Sequence, residues 1–565
     1  MITRFVDRDY DPAAARRLAA EGVLPPLARA LAARGVTSMR DLQLATRDLH
    51  PPGELAHVDV AARLLADAIE AKRHMTIVAD YDCDGATACA VGVRGLRALG
   101  ASVDYVVPNR FEFGYGLTPE IVDLAAARAP RPELLITVDN GIASVEGVER
   151  ARELGMEVLV TDHHLPGERL PAAAAIVNPN QRGCGFPSKH LAGVGVMFYV
   201  LMALRAELRG RGRFTEANQP RLDSLLDLVA LGTVADVVRL DRNNRILVAA
   251  GLQRVQNNRM QAGIAALFQI AGRSSRTAQA TDFGFAVGPR INAAGRLTDM
   301  TVGIECLLAD DPDRALELAA RLEQLNRERR AIESDMNLDA MTELEAAYDE
   351  DRRTICLFNA DWHQGVVGLV ASRVKERFHR PTIAFATLDG TNLRGSGRSI
   401  EGVHLRDTLD LVTKAAPDLI EKFGGHAMAA GLTLRHDRLP AFTEAFEAAT
   451  RASADNQLFA RTLATDGPLA PKEITFGLIE ALERQIWGQG FPPPLFVNDF
   501  EVRDQRLVND QHLRLALDLE GKRFDAIWFR RTATLPSPVR LAYRPQVDEF
   551  QGLRRVSLIV EAASL

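Results

Sequence analysis

Residues 75–96 read MTIVADYDCDGATACAVGVRGL, an apolar run that ends in three aspartates at alternate positions, Asp80, Asp82 and Asp84. Carboxylates this close raise the cost of ionising one another, and such clusters persist where a cation offsets the repulsion. D-x-D-x-D-G also opens an EF-hand loop. That loop needs a bidentate Glu at its twelfth position, which here is Val91, and it follows a helix, whereas 75–79 reads as a strand. The residues argue against a calcium hand and leave the cation open.

Working outward, MTIVA is followed by a helical pattern over 86–99, SVDYVV by one over 118–127, ELLITV by one over 144–154, and then EVLV. Strands alternating with helices predict βαβ units and a parallel sheet. Ligands of such sheets bind beyond the carboxyl ends of the strands. The residues after three of these runs are Asp80-Tyr81-Asp82, Asp139-Asn140-Gly141 and Asp162-His163-His164, so acidic groups converge on one rim. A single Asp in this position is most often a helix N-cap. Three in register favour a metal site in which Asp82, Asp84, Asp139 and His163 hold divalent ions, and oxygen ligands with one imidazole favour Mg²⁺ or Mn²⁺ over zinc.

Asp311-Pro312 supplies a helix start, and no Gly or Pro follows until beyond Tyr348, which predicts a long connecting helix. A second α/β pattern has strands at 354–358 and 382–386 around a helix at 366–378. Five strand-like runs beyond 470 suggest a small β-barrel. The 565 residues, 47% hydrophobic and 25% charged, suffice for roughly three or four domains. No apolar run reaches the roughly 18 residues of a membrane span, and the charged N-terminus does not read as a signal peptide, so the expected location is cytoplasmic. Five scattered cysteines without CxxC pairing indicate neither disulfides nor zinc. Cys83, between two candidate ligands, is expected to point away from the metals. The net charge of −6 does not decide the partner, because loaded acidic ligands no longer repel phosphate.

DYDCDG, VDNG and TDHH resemble motifs I, II and III of the DHH phosphoesterases, and GTVADVV resembles motif IV, which adds Asp236. VPNRFEFGYGL, GPRINAAGRL, WHQGVVGLVASR, RGSGRS and FGGHAMAAG narrow the resemblance to the RecJ family of bacterial single-strand-specific exonucleases. The likeness runs from about residue 50 to the C-terminus. It implies an N-terminal segment (1–50), a DHH parallel-sheet domain (51–308), a connecting helix (309–350), a DHHA1 α/β domain (351–455) and an OB-fold barrel (456–565). The N-terminal segment matches no chemical motif and is expected to pack against the sheet. The barrel sets the family apart from smaller DHH phosphodiesterases.

The implied activity is 5′ to 3′ hydrolysis of single-stranded DNA to 5′ mononucleotides, in repair and recombination, with two Mn²⁺ or Mg²⁺ ions. Asp139 would bridge the ions, with Asp80 and Asp82 on one side and Asp84, His163 and Asp236 on the other, while His164 contacts the phosphoryl group. On the substrate side the family pattern implies Arg110 beside the scissile bond, Arg290, Ser396 and Arg398 around the 5′ phosphate, and His426 in GGH. A grip on the terminal phosphate at a fixed distance from the metals would set polarity. A groove closed over by the barrel would admit one strand. The implied partners of this monomer are single-stranded DNA, a single-strand binding protein and a helicase. Two alternatives stay open: a short-RNA or cyclic-dinucleotide phosphodiesterase of the same chemistry, and a non-catalytic replication scaffold.

Away from the resemblance, a lone surface arginine is usually solvated or paired. Small neighbours let Ser396 and Arg398 approach an anion closely. Trp362 and His363 read as packing.

Overall fold

Strand His74–Ala79 lies second in a five-stranded, all-parallel sheet, between Ser102–Val106 on one side and Leu134–Val138 on the other, followed by Glu157–Thr161 and Ala175–Val177. The chain therefore steps outward from the first strand, then crosses over it to build the rest of the sheet, which makes a topological switch between His74–Ala79 and Leu134–Val138. The computed structural model describes residues 4–109, 112–113, 116–550 and 552–564. Alternate residues of these strands bury on opposite faces. Val78, Leu135, Val158 and Val160 pack under helices Pro119–Ala126 and Val145–Glu153, in a core that includes Ile121, Val122 and Val148. On the other face helix Cys83–Ala98 lies so close that a Cβ on Gly92 would stand 2.8 Å from Ile77 Cδ1.

The chain divides into two compact units. One comprises Ser38–Arg327 with Glu483–Pro493, and contains the parallel sheet. The other comprises Met1–Thr37, Glu328–Leu482 and Pro494–Leu565. It holds a mixed sheet in the order Lys422–Gly425, Ala429–Arg435, Asn392–Arg398, Thr382–Thr387, Ile355–Phe358, and a closed five-stranded barrel of Phe496–Val508, His512–Leu519, Lys522–Trp528, Leu553–Ser564 and Val539–Phe550. Helix Pro312–Ala347 is unbroken for 36 residues, roughly 54 Å at 1.5 Å per residue, and the division between units falls within it.

The parallel sheet, the long helix, the second α/β pattern and the barrel match the expected fold class. Two local expectations change. The helix after the acidic stretch begins at Cys83, not 86, because Asp82 caps it. The N-terminal segment does not join the parallel sheet: Arg4–Asp7 pairs in parallel with Thr462–Thr465, and Arg34 meets Asp466 at 2.6 Å with both side chains buried. A strand partner more than 450 residues away leaves no local signal. Helices Gly193–Gly210 and Leu226–Ala235 carry long stretches of buried residues, and so lack the amphipathic period that would betray them.

Candidate metal centre

Sheet pairing runs on past the strand ends. Asp80 N–H donates to Val138 O (3.3 Å), Asp139 N–H to Thr161 O (3.1 Å) and Asp162 N–H to Val177 O (3.1 Å), so three acidic residues stand side by side on the rim. The rim spans the topological switch, where a crevice opens between diverging connections.

Asp139 turns its carboxylate into this crevice from a left-handed backbone at φ 62°. Asn140 braces the turn by donating from Nδ2 to Val78 O and Val138 O at 3.2 and 2.9 Å. Gly141 follows at φ 110°, where a Cβ would sit 2.5 Å from Thr137 Oγ1. Asp82 accepts from Gly85 N–H at 3.0 Å, so it is an N-cap as well as a rim carboxylate. Asp84 is fully buried and accepts from Gly193 N–H (2.6 Å) and Val194 N–H (2.9 Å), the opening turn of helix Gly193–Gly210. That helix approaches so closely that a Cβ on Gly193 would lie 2.6 Å from Asp139 Cβ. Asp236 closes the centre from the C-terminal end of Leu226–Ala235.

His163 Nε2 lies 3.0 Å from Asp139 Oδ1, 3.5 Å from Asp236 Oδ2 and 3.9 Å from Asp84 Oδ2. Three overlapping groups bring their ligand atoms within 4.8 Å of one another: Asp80, Asp82 and Asp139; Asp84, His163 and Asp236; Asp139, His163 and His164. Burial and then the neighbouring carboxylates push Asp84 up to about 7 and hold Asp139 and Asp236 well above the ordinary carboxylate range. Asp236 Oδ2 is buried and accepts no hydrogen bond among the described residues. Crowded, desolvated carboxylates of this kind are what divalent cations relieve, and an oxygen-rich set with imidazole suits Mn²⁺ or Mg²⁺. The residues fit two such ions.

Sequence reasoning placed Asp162 on the rim and gave it no role. It is buried and accepts from Ile142 N–H (2.9 Å), His163 N–H (2.7 Å), His164 N–H (3.1 Å) and His164 Nδ1 (2.7 Å). Burial opposes its charge, yet the hydrogen bond and charge of His164 hold it below the ordinary range. In return Asp162, with Asp80 and Asp82, overcomes burial and lifts His164 to about 9. Its adjacency to two histidines was the available signal, since a carboxylate commonly orients an imidazole. Asn292 was missed: its Oδ1 accepts from Cys83 N–H at 2.8 Å, and a Cβ on Gly295 would lie 2.0 Å from Tyr81 O. Helix Gly288–Leu297 thus clamps the acidic loop, which explains two residues of GPRINAAGRL.

The substrate-side residues fall in both units. Arg290 is 6% exposed and pairs with Glu323 at 2.7 Å. Arg398 donates to Ser396 Oγ (3.2 Å) and Gly397 O (2.8 Å) on strand Asn392–Arg398. Gly368, at the start of helix Val367–Phe378, faces this pair: a Cβ there would stand 2.7 Å from Ser396 Oγ and 2.9 Å from Arg398 Nη2. A hydroxyl and a guanidinium side by side could together hold an anion. His426 donates its N–H to Ala429 O at 2.8 Å, in the turn between two strands. Arg110 lies outside the described residues. Trp362 is buried, with Nε1 3.4 Å from Asp339 Oδ2, and Cys83 is buried at the helix start.

Three family descriptions match the chain: DHH family, N-terminal domain, over 74–233; DHHA1 domain over 351–452; and RecJ OB domain over 465–562. The single-stranded-DNA-specific exonuclease RecJ of Escherichia coli (strain K12) is 48% identical over 553 residues, covering 95% of this chain and 96% of that protein. The crystal structure of Thermus thermophilus RecJ with Mn²⁺ superposes with a TM-score of 0.82 at 30% identity, over all of this chain and 79% of that one. Its Mg²⁺ counterpart gives 0.76 at 28%, over all of this chain and 78% of that one. Near-complete mutual coverage by the Escherichia coli protein, with all three domains in order, places the chain in the RecJ family of single-stranded-DNA-specific exonucleases.

Proposed function

We propose that this chain degrades single-stranded DNA from its 5′ end, 5′ to 3′, releasing 5′ mononucleotides in DNA repair and recombination. The reading rests above all on two adjoining ligand groups that share one rim, Asp80, Asp82 and Asp139 beside Asp84, His163 and Asp236. Asp139 would be common to two Mn²⁺ or Mg²⁺ ions, with Asp80 and Asp82 on one side and Asp84, His163 and Asp236 on the other. When bound, the ions supply Lewis-acid polarisation and a nucleophile active near neutral pH. The chain's own residues do the rest. Asp162 accepts the hydrogen bond of His164 Nδ1, which would leave Nε2 to meet the phosphoryl group. Gly193 and Val194 amides fix Asp84, so the crevice is preorganised before substrate arrives.

Ser396 and Arg398 would grip a 5′ phosphate. Arg290, Arg110 and His426 keep the substrate-side roles that the family pattern implies. Domain limits of 51–308, 351–455 and 456–565, with 1–50 ahead of them and 309–350 between the first two, go with this reading. A single-strand binding protein and a helicase would be partners of a cytoplasmic monomer. No helix among the described residues is long and apolar enough to cross a membrane.

The test is a time course with Mn²⁺ on a long single strand labelled in parallel at either end, with EDTA as control. Prompt release of labelled mononucleotide from the 5′ end, while the 3′-labelled strand shortens stepwise, is the expected result. Consumption of di- to tetranucleotides with survival of the long strand would keep the metal centre and overturn the substrate.

A further inference from the structure

Phe285 is 78% exposed, more than any other large apolar side chain among the described residues. It sits in a π-helical turn, Phe283–Val287, wedged between Ala280–Asp282 and the clamp helix Gly288–Leu297. Isolated π turns inside helices widen the backbone at a local cost and recur at functional sites. This one is packed against the end of the helix that presents Asp236. A Cβ on Gly284 would meet Val234 Cγ1 at 3.4 Å, and one on Gly288 would meet Ala235 Cβ at 3.1 Å. Beyond Asp236 stands Val237, 63% exposed and held at φ 61°, a conformation that β-branched residues rarely adopt. Two exposed apolar side chains thus lie on the segments that meet at the Asp236 end of the metal centre.

Burial elsewhere is thorough on these elements, with Phe283, Ala286 and Val287 all inside. Leaving the one aromatic outside runs against the hydrophobic effect unless something covers it. The turn that carries it packs against the two residues before Asp236, so the occupant that fits is the polymer whose phosphate the metal centre would hold. Every nucleobase has a π-face, and stacking on an aromatic is tolerant of sequence, as an exonuclease moving along any strand requires.

We propose that Phe285 is a stacking platform for a base of the single strand near the cleaved bond. This rests on the nuclease reading above. The platform holds the strand through a base while the carboxylate rim handles the phosphate.

The experiment compares wild type, Phe285→Ala and Phe285→Trp with Mn²⁺. Substrates are an intact single strand and strands carrying one abasic site at each of the first four positions. On intact DNA, Phe285→Ala is expected to lose about tenfold in kcat/KM, chiefly through KM, with Phe285→Trp restoring it and the melting temperature unchanged. At one abasic position wild type and Phe285→Ala should become equal. Equal activity of the two on intact DNA would overturn the platform, as would a defect that persists undiminished at every abasic position. Failure of wild type itself to cut the intact strand would instead overturn the nuclease reading.

Discussion

His164 Nδ1 lies 2.7 Å from Asp162 Oδ1, and Asp162 receives three backbone N–H groups besides. One carboxylate therefore fixes the backbone of both histidines and the ring orientation of the second. Asp162→Asn should leave the fold intact and lower turnover by about 10² or more, a loss of the size seen when an orienting partner is removed. In the metal-free protein the variant's His164 should titrate well below the wild-type value of about 9, back towards 6.5. NMR titration of the histidine ring signals in EDTA reads this directly, and an unchanged titration would remove Asp162 from its role.

Asp139→Asn should abolish hydrolysis, to below about 10⁻³ of wild type, while the protein stays folded. Asn is the better substitution than Ala because residue 139 sits at φ 62°, a region that Asn tolerates and Ala enters at a cost of roughly 1–2 kcal/mol. Asp139→Ala should also be inactive but melt lower. Near-normal turnover in either variant, measured with Mn²⁺ on single-stranded DNA, would defeat the shared-ligand assignment.

Without metal, pH should act on this centre in a definite direction. Asp84 is raised to about 7, and Asp139 and Asp236 also titrate above their unfolded values. An acid whose pKa is higher in the folded state binds its proton more tightly there, so folding loses stability as pH rises from about 4 through about 7. In EDTA the melting temperature should thus be lower at pH 8 than at pH 5 from this source. Saturating Mn²⁺ should raise it, by more at pH 8. Scanning calorimetry at both pH values checks the sign, and a Mn²⁺ shift larger at pH 5 would contradict it.

Gly368→Ala places a methyl group 2.7 Å from Ser396 Oγ and 2.9 Å from Arg398 Nη2. It should disturb this pair much as Arg398→Ala does. Both variants should lose about tenfold in preference for a 5′-phosphorylated over a 5′-hydroxyl strand, the scale of one charge-assisted hydrogen bond. The ratio of kcat/KM for the two substrates is the measurement. An unaltered ratio in Arg398→Ala would move the phosphate site elsewhere.

Glu447 latches the second α/β sheet. It is 7% exposed and accepts from the Arg353 and Thr354 amides at 2.9–3.0 Å and from Thr354 Oγ1 at 2.7 Å. Burial opposes its ionisation, but these bonds and Arg451 hold its pKa low, so the stability it contributes is present above about 4.5 and is lost as pH falls. Glu447→Gln should cost roughly 1–3 kcal/mol at pH 7 and less in acid, read by urea denaturation.

The sequence by itself determined the first four strands of the parallel sheet, though not Ala175–Val177, the barrel strands almost end to end, and the rim on which Asp80, Asp82, Asp84, Asp139 and His163 lie. These are local facts: period-two burial, apolar runs before polar stops, and acids too close together to be idle. Asp236 came only through the motif resemblance, because its helix is apolar all round and hides its own period. What only the tertiary structure decided depends on contacts distant in sequence. Asp84 is fixed by amides more than a hundred residues later, Asn292 by an acidic loop some two hundred residues earlier, and strand Arg4–Asp7 by one near residue 462. The exposure of Phe285 was equally invisible, because which side of a short turn meets the protein and which meets solvent is set by what packs beside it.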